Sequence, residues 1–556
     1  MKLKKLLITT LCSLLIFPLI LQFAACDKDN RINPKVDPLK TQLYVGNFNG
    51  GFGDGWLKEA RTLFEEEQKD QVYEPGKKGV QIMIDNGKDE FGDALLEGIR
   101  TSREDVFVLD GLKYYDFVNA GHLLDITDVV TAGGDDSLEN KMNPSLRDYY
   151  KTSAGKFFAL PFYESFLHMI YDVDLFDEYN LWFNAAGTDF VKSKTEPRLP
   201  GQSGVPGAWD EGLPYTYSQF FKLLEEMRLQ NIVGMTWTGQ YASTYMPRLP
   251  DSFWADYQGP EQFAANYSLN GSIKTLKDYS FTEAPVGEFS LPSGLYQTET
   301  VNKTNAQAIT PMSAGKYFAL KLSHDIVSGR KYVKQDKVAS PLESHLMAQG
   351  TFLGSRYDGH PIAMLVEGGW WYNEADVVMR EMARDYGEEY SSMSRRFGLM
   401  PIPKADDGSS APGRTFAPSM NPSSIIISKY TAKADLAKAF LKFIHTEESL
   451  RRFNVTTKVP RPFDYELTEG DLASMPYYAK NILAARKEYN LQFIVPRDSS
   501  LQQYNDFLAG SWKLTSRFDS ADHGSPIMDF FSRQDYTAKQ YFQGLKTYQD
   551  ANPKVF

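Results

Sequence analysis

The chain has almost no cysteine. Among its 556 residues only Cys12 and Cys26 are cysteines, and both stand within the first 26 positions. The rest of the chain therefore has no pair of thiols that could form a disulfide. The stability of the folded part must come from buried apolar surface instead. A hydrophobic content of 42% in a chain of this length can supply that surface, and the length favours two domains or lobes.

An excess of positive charge is also missing. The 60 Lys and Arg residues are outnumbered by 71 Asp and Glu residues, which gives a formal net charge of −11. Proteins that bind nucleic acid neutralise phosphates with clustered Lys and Arg, so this acidic balance argues against a nucleic-acid partner. Aromatic residues, in contrast, make up 14% of the chain. Tyr and Trp combine an apolar face with a polar group, which suits an extended polar ligand as well as a large core.

The common catalytic and metal-binding motifs are absent from the sequence. It contains no G-x-S-x-G, H-E-x-x-H, C-x-x-C or P-loop pattern, and its 7 histidines are scattered without metal-ligand spacing. We therefore expect no catalysis, no cofactor and no bound metal ion. A glycosidase needs only two carboxylates, which have no sequence motif, and Glu164 and Glu367 are the pair to test for that alternative.

A glycine-rich turn follows the first predicted strand. Gly51, Gly53 and Gly55 are spaced as G-x-G-x-G and not as the G-x-G-x-x-G of dinucleotide-binding proteins. Small residues at this position allow a ligand or the opposite lobe to approach the backbone closely. A plain tight turn is the alternative.

The N-terminal segment has the features of an export signal. Lys2, Lys4 and Lys5 precede an apolar run over residues 6–21, and small residues come directly before Cys26. This arrangement resembles the bacterial lipoprotein signal, in which the cysteine is lipidated and becomes the new N terminus. The resemblance implies a signal peptide over residues 1–25, a lipid anchor on Cys26 that faces the outside of the cell membrane, and a polar tether over residues 26–39.

Strand and helix patterns alternate from about Thr41 onward. An apolar run at residues 43–45 precedes the glycine-rich turn and an amphipathic helix over residues 56–68, and further strands are predicted at residues 80–84 and 106–109. This βα repetition predicts an α/β fold with a mostly parallel sheet and ligand-facing loops at the carboxyl ends of its strands. Residues 187–214 contain recurring Pro and Gly without a hydrophobic period, which predicts a long surface loop.

The stretch over residues 360–375 combines an apolar strand with two adjacent tryptophans. The apolar run Ile362–Val366 is followed by Glu367, two glycines, Trp370 and Trp371. Neighbouring residues on a regular backbone point in different directions, so at least one tryptophan is expected to overhang the end of the strand. An aromatic plane beside a carboxylate suits a sugar, whose ring has an apolar face and a hydroxyl rim. Ordinary core packing of the tryptophans is the alternative.

Several stretches occur in the order that is found in one protein family. They are Ala159-Leu-Pro-Phe-Tyr163, Leu213-Pro-Tyr-Thr-Tyr-Ser-Gln-Phe220, Ile362-Ala-Met-Leu-Val-Glu-Gly-Gly-Trp-Trp371, Met400-Pro-Ile-Pro403 and the helix over residues 432–449. Together they resemble the extracellular solute-binding proteins of bacterial ABC sugar importers, of the maltose-binding type, over about residues 41–465. The resemblance implies a two-lobe α/β fold that captures an oligosaccharide between its lobes and presents it to the permease subunits of the importer.

The resemblance also implies how the chain is divided. The chain of such a protein crosses between its lobes more than once. We expect residues 40–164 and 398–455 to form the N-terminal lobe and residues 165–397 and 456–556 to form the second lobe.

Candidate ligand contacts come partly from the resemblance and partly from chemistry. By resemblance, Trp370 or Trp371 is the stacking aromatic, Tyr163 is the aromatic after Leu-Pro, and Asp110 is the polar residue at the end of the third strand. Chemistry and position add Asn47, Glu164, Trp237, Tyr241, Trp254, Glu367 and Arg461. A structural role is the alternative for each of these residues.

Two other functions remain open from the sequence. One is a secreted carbohydrate-active enzyme of the glycoside hydrolase type. The other is a binding protein for a peptide or a polyamine, because aromatic side chains and an acidic balance also suit cations.

Overall fold

The structure is a computed structural model of the chain. It describes residues 33–86, 93–164, 167–238, 248–333, 344–357, 359–416, 423–491, 512, 526–532 and 535–553. The predicted signal peptide, the predicted lipidation site Cys26 and the ligand-contact candidate Tyr241 lie outside the described residues.

The strands alternate with helices along most of the described chain. The strands are β1 (Thr41–Asn47), β2 (Val80–Asp85), β3 (Val106–Leu109), β4 (Ala159–Pro161), β5 (Leu167–Asp172), β6 (Val233–Trp237), β7 (Gly271–Leu276), β8 (Tyr296–Val301), β9 (Ile362–Gly368), β10 (Phe397–Met400), β11 (Arg414–Phe416), β12 (Ser424–Ile427) and β13 (Tyr489–Leu491).

The helices cover both faces of the larger sheets and fill the C-terminal part of the chain. They are α1 (Gly55–Glu67), α2 (Asp93–Gly98), α3 (Tyr114–Ala120), α4 (Thr127–Thr131), α5 (Leu138–Lys141), α6 (Pro144–Tyr150), α7 (Val173–Tyr179), α8 (Tyr217–Leu229), α9 (Arg248–Ser268), α10 (Ala306–Ile309), α11 (Ala314–Val327), α12 (His345–Gly354), α13 (Trp371–Tyr386), α14 (Ala434–Phe443), α15 (Glu447–Thr457), α16 (Glu469–Ser474), α17 (Tyr477–Arg486), α18 (Pro526–Ser532) and α19 (Ala538–Ala551).

The first large sheet has the strand order β2-β1-β3-β12-β4. β1 is parallel to β2 and β3, as the βα repetition predicts, whereas β12 is antiparallel to both β3 and β4. The strands of this sheet are buried almost throughout, because helices cover both of its faces. β12 therefore brings a late segment of the chain into the middle of a sheet that is otherwise built from its first third.

The second large sheet has the strand order β10-β5-β9-β6. β9 is parallel to β6 and antiparallel to β5, and β10 is antiparallel to β5. All seven residues of β9 are buried, which fits the uninterrupted apolar run seen in the sequence. The mixed α/β architecture that the sequence predicts is confirmed, although each large sheet also contains antiparallel pairs.

The chain passes between the two sheets at several points. It leaves the first sheet after β4 and enters the second at β5, and it returns between β10 and β12. Phe397–Met400 pair with β5 in the second sheet, and the lobe boundary at residue 398 stays a prediction. After α15, Phe463 still pairs with Met142 beside the first sheet, and α17 then packs on β10.

The segment over residues 187–214 is a loop, as its composition predicts. Its described backbone contains turns and isolated bridges, such as the one between Asn184 and Arg198. Arg198 fixes the loop to α7, because its guanidinium lies 4.2 Å from the Trp182 ring and donates to Asp177 at 3.0 Å. Among the described residues, no helix is both long enough and apolar enough to cross a lipid bilayer.

Candidate functional site

Several of the predicted site residues lie at the carboxyl edges of the two large sheets. β4 and β3 are both antiparallel to β12 and so run in the same direction, which places Asp110, just after β3, and Tyr163, just after β4, at one edge with Asn47 at the end of β1. In the second sheet, β6 and β9 are parallel and end together at Trp237 and Glu367. Loops at such edges are the usual ligand-binding elements of α/β proteins.

The first sheet brings Tyr163 and Asp110 together. The Tyr163 hydroxyl donates to Asp110 Oδ1 at 3.1 Å. The Tyr163 ring meets the Phe52 ring edge to face, with ring centroids 4.5 Å apart. Tyr163 is also tied to the chain crossing before β12, since its backbone N–H donates to Ser423 Oγ at 3.2 Å. The two candidates that the resemblance implies, Tyr163 and Asp110, therefore contact each other, and their contact with a ligand stays a prediction. Phe52, in the glycine-rich turn, was not predicted.

Asn47, the last residue of β1, stabilises the glycine-rich turn through side-chain hydrogen bonds. It is fully buried, and its side-chain amide donates to Asn86 Oδ1 at 3.0 Å. Asn86 in turn donates to Asp54 Oδ2 at 2.6 Å, next to the start of α1. The Asn47 side-chain oxygen has no hydrogen-bond partner within the described part of the chain. These contacts hold both ends of the turn that carries Gly51.

The glycine-rich turn after β1 lies against the helix that follows β9 of the second sheet. Gly51 has a φ of +78°, and a Cβ at this position would lie 2.6 Å from Glu374 Oε1. Only glycine fits such a contact without displacement. Glu374 lies in the first turn of α13, directly after the carboxyl edge of β9. Nearby, the Asn373 side chain donates to the Thr457 carbonyl oxygen. The carboxyl edges of the two sheets therefore face each other across this turn.

A buried pair of carboxylates lies on the second side of this junction. Gln349 Nε2, from α12, donates to Glu374 Oε2 at 2.7 Å and reaches Glu367 Oε2 at 3.4 Å. The Gly368 N–H donates to Glu367 Oε1 at 2.9 Å, and His345 Nε2 lies 3.6 Å from Glu374 Oε1. Glu367 was predicted from the sequence. Glu374, Gln349 and His345 were not, because seven or more residues separate them from Glu367 and no motif joins them.

Both carboxyl groups resist ionisation. Burial, and then the nearby charge of Glu374, raises the pKa of Glu367 well above its usual range. Burial raises the pKa of Glu374 to about 7, although the Gln349 hydrogen bond acts in the opposite direction. Perturbed carboxyl groups of this kind often mark functional sites.

The two adjacent tryptophans have different environments. Trp371 is fully buried in the first turn of α13, where its ring contacts Phe397 and Tyr478 at centroid distances of 5.2 and 5.6 Å. Trp370 is only partly buried, and its ring lies over Gly368, where a side chain would have no room. Trp370 is therefore the tryptophan of the pair that retains accessible surface near the carboxylates.

The fold and the site were compared with known proteins. A family model described as bacterial extracellular solute-binding protein matches residues 54–317. Over this segment the chain is therefore similar to bacterial extracellular solute-binding proteins. No curated protein sequence matches the chain significantly.

Solved structures of two-lobe binding proteins share the fold of this chain. The structure of RafE in complex with raffinose is 14% identical, covers 92% of this chain and 99% of its own, and has a TM-score of 0.53. Apo RafE from Streptococcus pneumoniae is 14% identical, with coverages of 93% and 99% and a TM-score of 0.54. A chitin oligosaccharide binding protein is 12% identical, with coverages of 89% and 94% and a TM-score of 0.50. At these identities the likeness establishes the fold.

Two predicted ligand contacts, Trp254 and Trp237, are buried inside the fold. Trp254 is fully buried in α9, and its indole N–H lies 2.6 Å from Gln258 Oε1 and 3.1 Å from Ser313 Oγ. Trp237 is also fully buried, and its Nε1 has no hydrogen-bond partner among the described residues. The packing of Trp254 is the structural role that the sequence left open as an alternative.

Two further candidates fix the segment that follows α15. Glu164 is buried and accepts hydrogen bonds from Arg486 Nε at 2.9 Å on each carboxylate oxygen. Arg461 is fully buried, with its guanidinium 4.6 Å from the Phe453 ring centroid, and burial lowers its pKa to about 9. It donates to the Ile444 carbonyl oxygen at 3.1 Å. Contact of either residue with a ligand remains a prediction.

A surface pocket of about 370 Å³ lies elsewhere in the molecule. It is formed by the β7–β8 hairpin, the region of α10 and the end of α19, with Tyr279, Gln297, Met312 and Lys546 among its lining residues. It contains none of the residues that the sequence predicted as ligand contacts.

Proposed function

We propose that the protein captures a carbohydrate of oligosaccharide size between its two lobes and delivers it to the permease subunits of an ABC importer. One observation carries the proposal. The carboxyl edges of the two large sheets face each other at the contact between Gly51 and Glu374. Around this junction the first lobe supplies the Tyr163 and Asp110 pair, and the second supplies Trp370 and the carboxylates. Aromatic faces with hydroxyl-binding acceptors are what sugar recognition requires.

The ligand class is supported by proteins of the same fold. One solved relative, RafE, is described in complex with raffinose, and another is described as a chitin oligosaccharide binding protein. Both descriptions name oligosaccharides. That this chain also binds an oligosaccharide is part of the proposal.

We further propose that the protein is a lipoprotein. Its basic and apolar N-terminal segment and the small residues before Cys26 support removal of residues 1–25 and lipidation of Cys26. Residues 26–39 would then connect the lipid to the folded part. This arrangement keeps the binding protein next to the permease on the outer side of the cell membrane.

The contacts of Glu164 support binding without catalysis. A glycosidase requires two carboxyl groups that both reach one glycosidic bond. Glu164 is instead held by two hydrogen bonds to Arg486, and Glu367 shares Gln349 with Glu374. The pair that the sequence suggested for hydrolysis is thus engaged in separate structural contacts.

The experiment that tests the proposed function is calorimetric titration of the mature protein with a panel of neutral and amine-bearing oligosaccharides. At least one is expected to bind with a Kd in the micromolar range or below, about −8 kcal/mol or tighter. Absence of binding to every member of a panel that includes plant and host glycans would contradict the proposal. Release of product from any of them would favour the glycoside hydrolase alternative.

A further inference from the structure

The carboxylates of Glu367 and Glu374 are buried without a neighbouring cation. Glu367 has no measurable exposure, and the Glu374 side chain is 14% exposed. Among the described residues, no Lys or Arg nitrogen lies within 4.0 Å of either carboxylate. Buried carboxylates in proteins are normally paired with a cation or bound to a metal ion. The described part of the chain supplies no such cation, and burial favours the neutral form of both carboxyl groups instead.

The same cluster is also short of hydrogen-bond donors. One amide group, Nε2 of Gln349, serves both carboxylates. The oxygen of that amide, Gln349 Oε1, has no hydrogen-bond partner in the part of the chain that the structure describes, although Gln349 is 1% exposed. Since its nitrogen lies between the two carboxylates, the oxygen belongs to the same cluster. A buried acceptor without a donor is unfavourable, so the cluster is suited to a ligand that brings donors with it.

We propose that this cluster binds the ammonium group of an amino sugar within the captured oligosaccharide. The inference rests on the proposed function and adds the substrate class to it. An ammonium group carries three N–H donors and a positive charge, which matches two carboxylates and an amide oxygen. A sugar hydroxyl has one donor and no charge, so it would not favour the ionised form of either carboxyl group. Trp370, beside Gly368, provides an aromatic surface for the apolar face of the same sugar ring.

The position of the cluster explains how such a group could be enclosed. Glu374 is the residue that Gly51 of the opposite lobe touches. Solute-binding proteins close around a ligand by hinge motion between their lobes. A ligand that enters while the lobes are apart would therefore meet Glu374 first and be covered by the glycine-rich turn on closure.

Proton release gives the proposal a second readout. Because burial raises the pKa of Glu374 to about 7, part of the free protein carries a proton there at neutral pH. A bound ammonium group would favour the ionised carboxylates and expel that proton. Other titratable groups face the pair: His345 beside Glu374, and His168 and Tyr478 beside Glu367. The proton must therefore be assigned with a variant.

The test compares three tetrasaccharides by calorimetry on the full mature protein at pH 7: a β-1,4-linked glucosamine tetramer, its N-acetylated counterpart and the corresponding glucose tetramer. The glucosamine tetramer is expected to bind at least about tenfold more tightly than the other two, which corresponds to one charged contact. Its binding heat should also vary with the ionisation enthalpy of the buffer, as proton release requires. Glu374→Gln should reduce this preference to less than about threefold and remove most of the proton release.

The test includes a control variant, a check that the variants are folded and two outcomes that would overturn the inference. Glu388→Gln, at an exposed position beyond the C-terminal end of α13, is the control and should behave like the wild type. Circular dichroism and thermal melting check that Glu374→Gln is folded. Equal or tighter binding of the neutral tetramers would overturn the inference and leave the proposed function standing. Binding of spermidine without binding of any saccharide would overturn both.

Discussion

At the junction between the sheets, the proposed ligand contacts are a few single side chains. Tyr163 and Asp110 provide a ring and a carboxylate at the edge of the first sheet, and Trp370 and Glu374 follow β9 of the second sheet. Sequence reasoning identified the first three, because an aromatic after Leu-Pro, a polar residue after a strand and a tryptophan after glycines are local signals. Glu374 has no local signal. It was missed because it meets Glu367 through Gln349, a residue of another helix.

Replacement of Glu374 by glutamine is expected to reduce the pH dependence of stability. Burial raises its pKa in the folded protein from the usual 4.5 to about 7, so the folded state retains a proton that the unfolded chain releases. The free energy of unfolding therefore falls as the pH rises from about 4.5 to about 7, by about 3 kcal/mol from this group. Glutamine does not titrate. Urea unfolding at pH 5 and pH 8 measures the difference.

Glu367 and His345 also titrate near this site, so the variant should retain part of the slope. Glu388→Gln should show the wild-type slope. The same pH dependence in Glu374→Gln as in the wild type would mean that Glu374 is ionised in the folded protein.

Alanine variants of the two adjacent tryptophans are expected to differ, since one should reduce stability and the other should reduce sugar affinity. Trp371 is packed among Phe397 and Tyr478, so Trp371→Ala should lower the free energy of unfolding by about 3–5 kcal/mol. Trp370 is partly exposed, so Trp370→Ala should cost about 1 kcal/mol of stability or less and weaken sugar binding by about tenfold. Chemical denaturation and calorimetry on both variants provide the comparison. Unchanged affinity in Trp370→Ala would remove that residue from the site.

At the scale of elements, the contact between the β1–α1 turn and α13 joins the two lobes. The turn brings Gly51 to Glu374, and α13 begins directly after β9. The sequence predicted both β9 and the close approach permitted by the glycines. It gave no indication that α13 would be the element approached, because this contact joins segments more than 300 residues apart.

Two glycine variants are expected to distinguish backbone strain from lobe contact. Gly51 and Gly53 have φ angles of +78° and +72°, but a Cβ at Gly53 meets nothing within 4 Å, whereas one at Gly51 meets Glu374. Both alanine variants should lose about 1 kcal/mol of stability from the left-handed backbone. Only Gly51→Ala should also hinder closure, weakening sugar binding by about tenfold. Equal affinity of the two variants for sugar would show that the turn does not close on the ligand.

Other elements differ in how well their sequence predicts them. β3 covers the residues 106–109 that the apolar pattern predicts, because turn-forming residues bound this pattern. The β7–β8 hairpin was not predicted, since most of β8 and half of β7 are not buried and carry little hydrophobic alternation. Its fold depends on packing against α9 and α11, which a local pattern does not contain.

At the scale of the whole molecule, the order of segments along the chain predicted the architecture. The second sheet interrupts the first between β4 and β12, as the crossings of a two-lobe binding protein require. The position of the return crossing depends on the pairing of β10 with β5, which is a tertiary contact. The apolar run of β10 predicts a strand but does not indicate which sheet the strand joins, so the lobe boundary at residue 398 stays a prediction.

The crystal structure of the protein with a bound oligosaccharide tests the central claim most directly. The account predicts sugar density between the carboxyl edges of the two sheets, within hydrogen-bond distance of Asp110 or Glu374 and against the ring of Tyr163 or Trp370. Sugar bound instead in the surface pocket beside Tyr279 and Met312, with the junction at Gly51 unchanged, would contradict it.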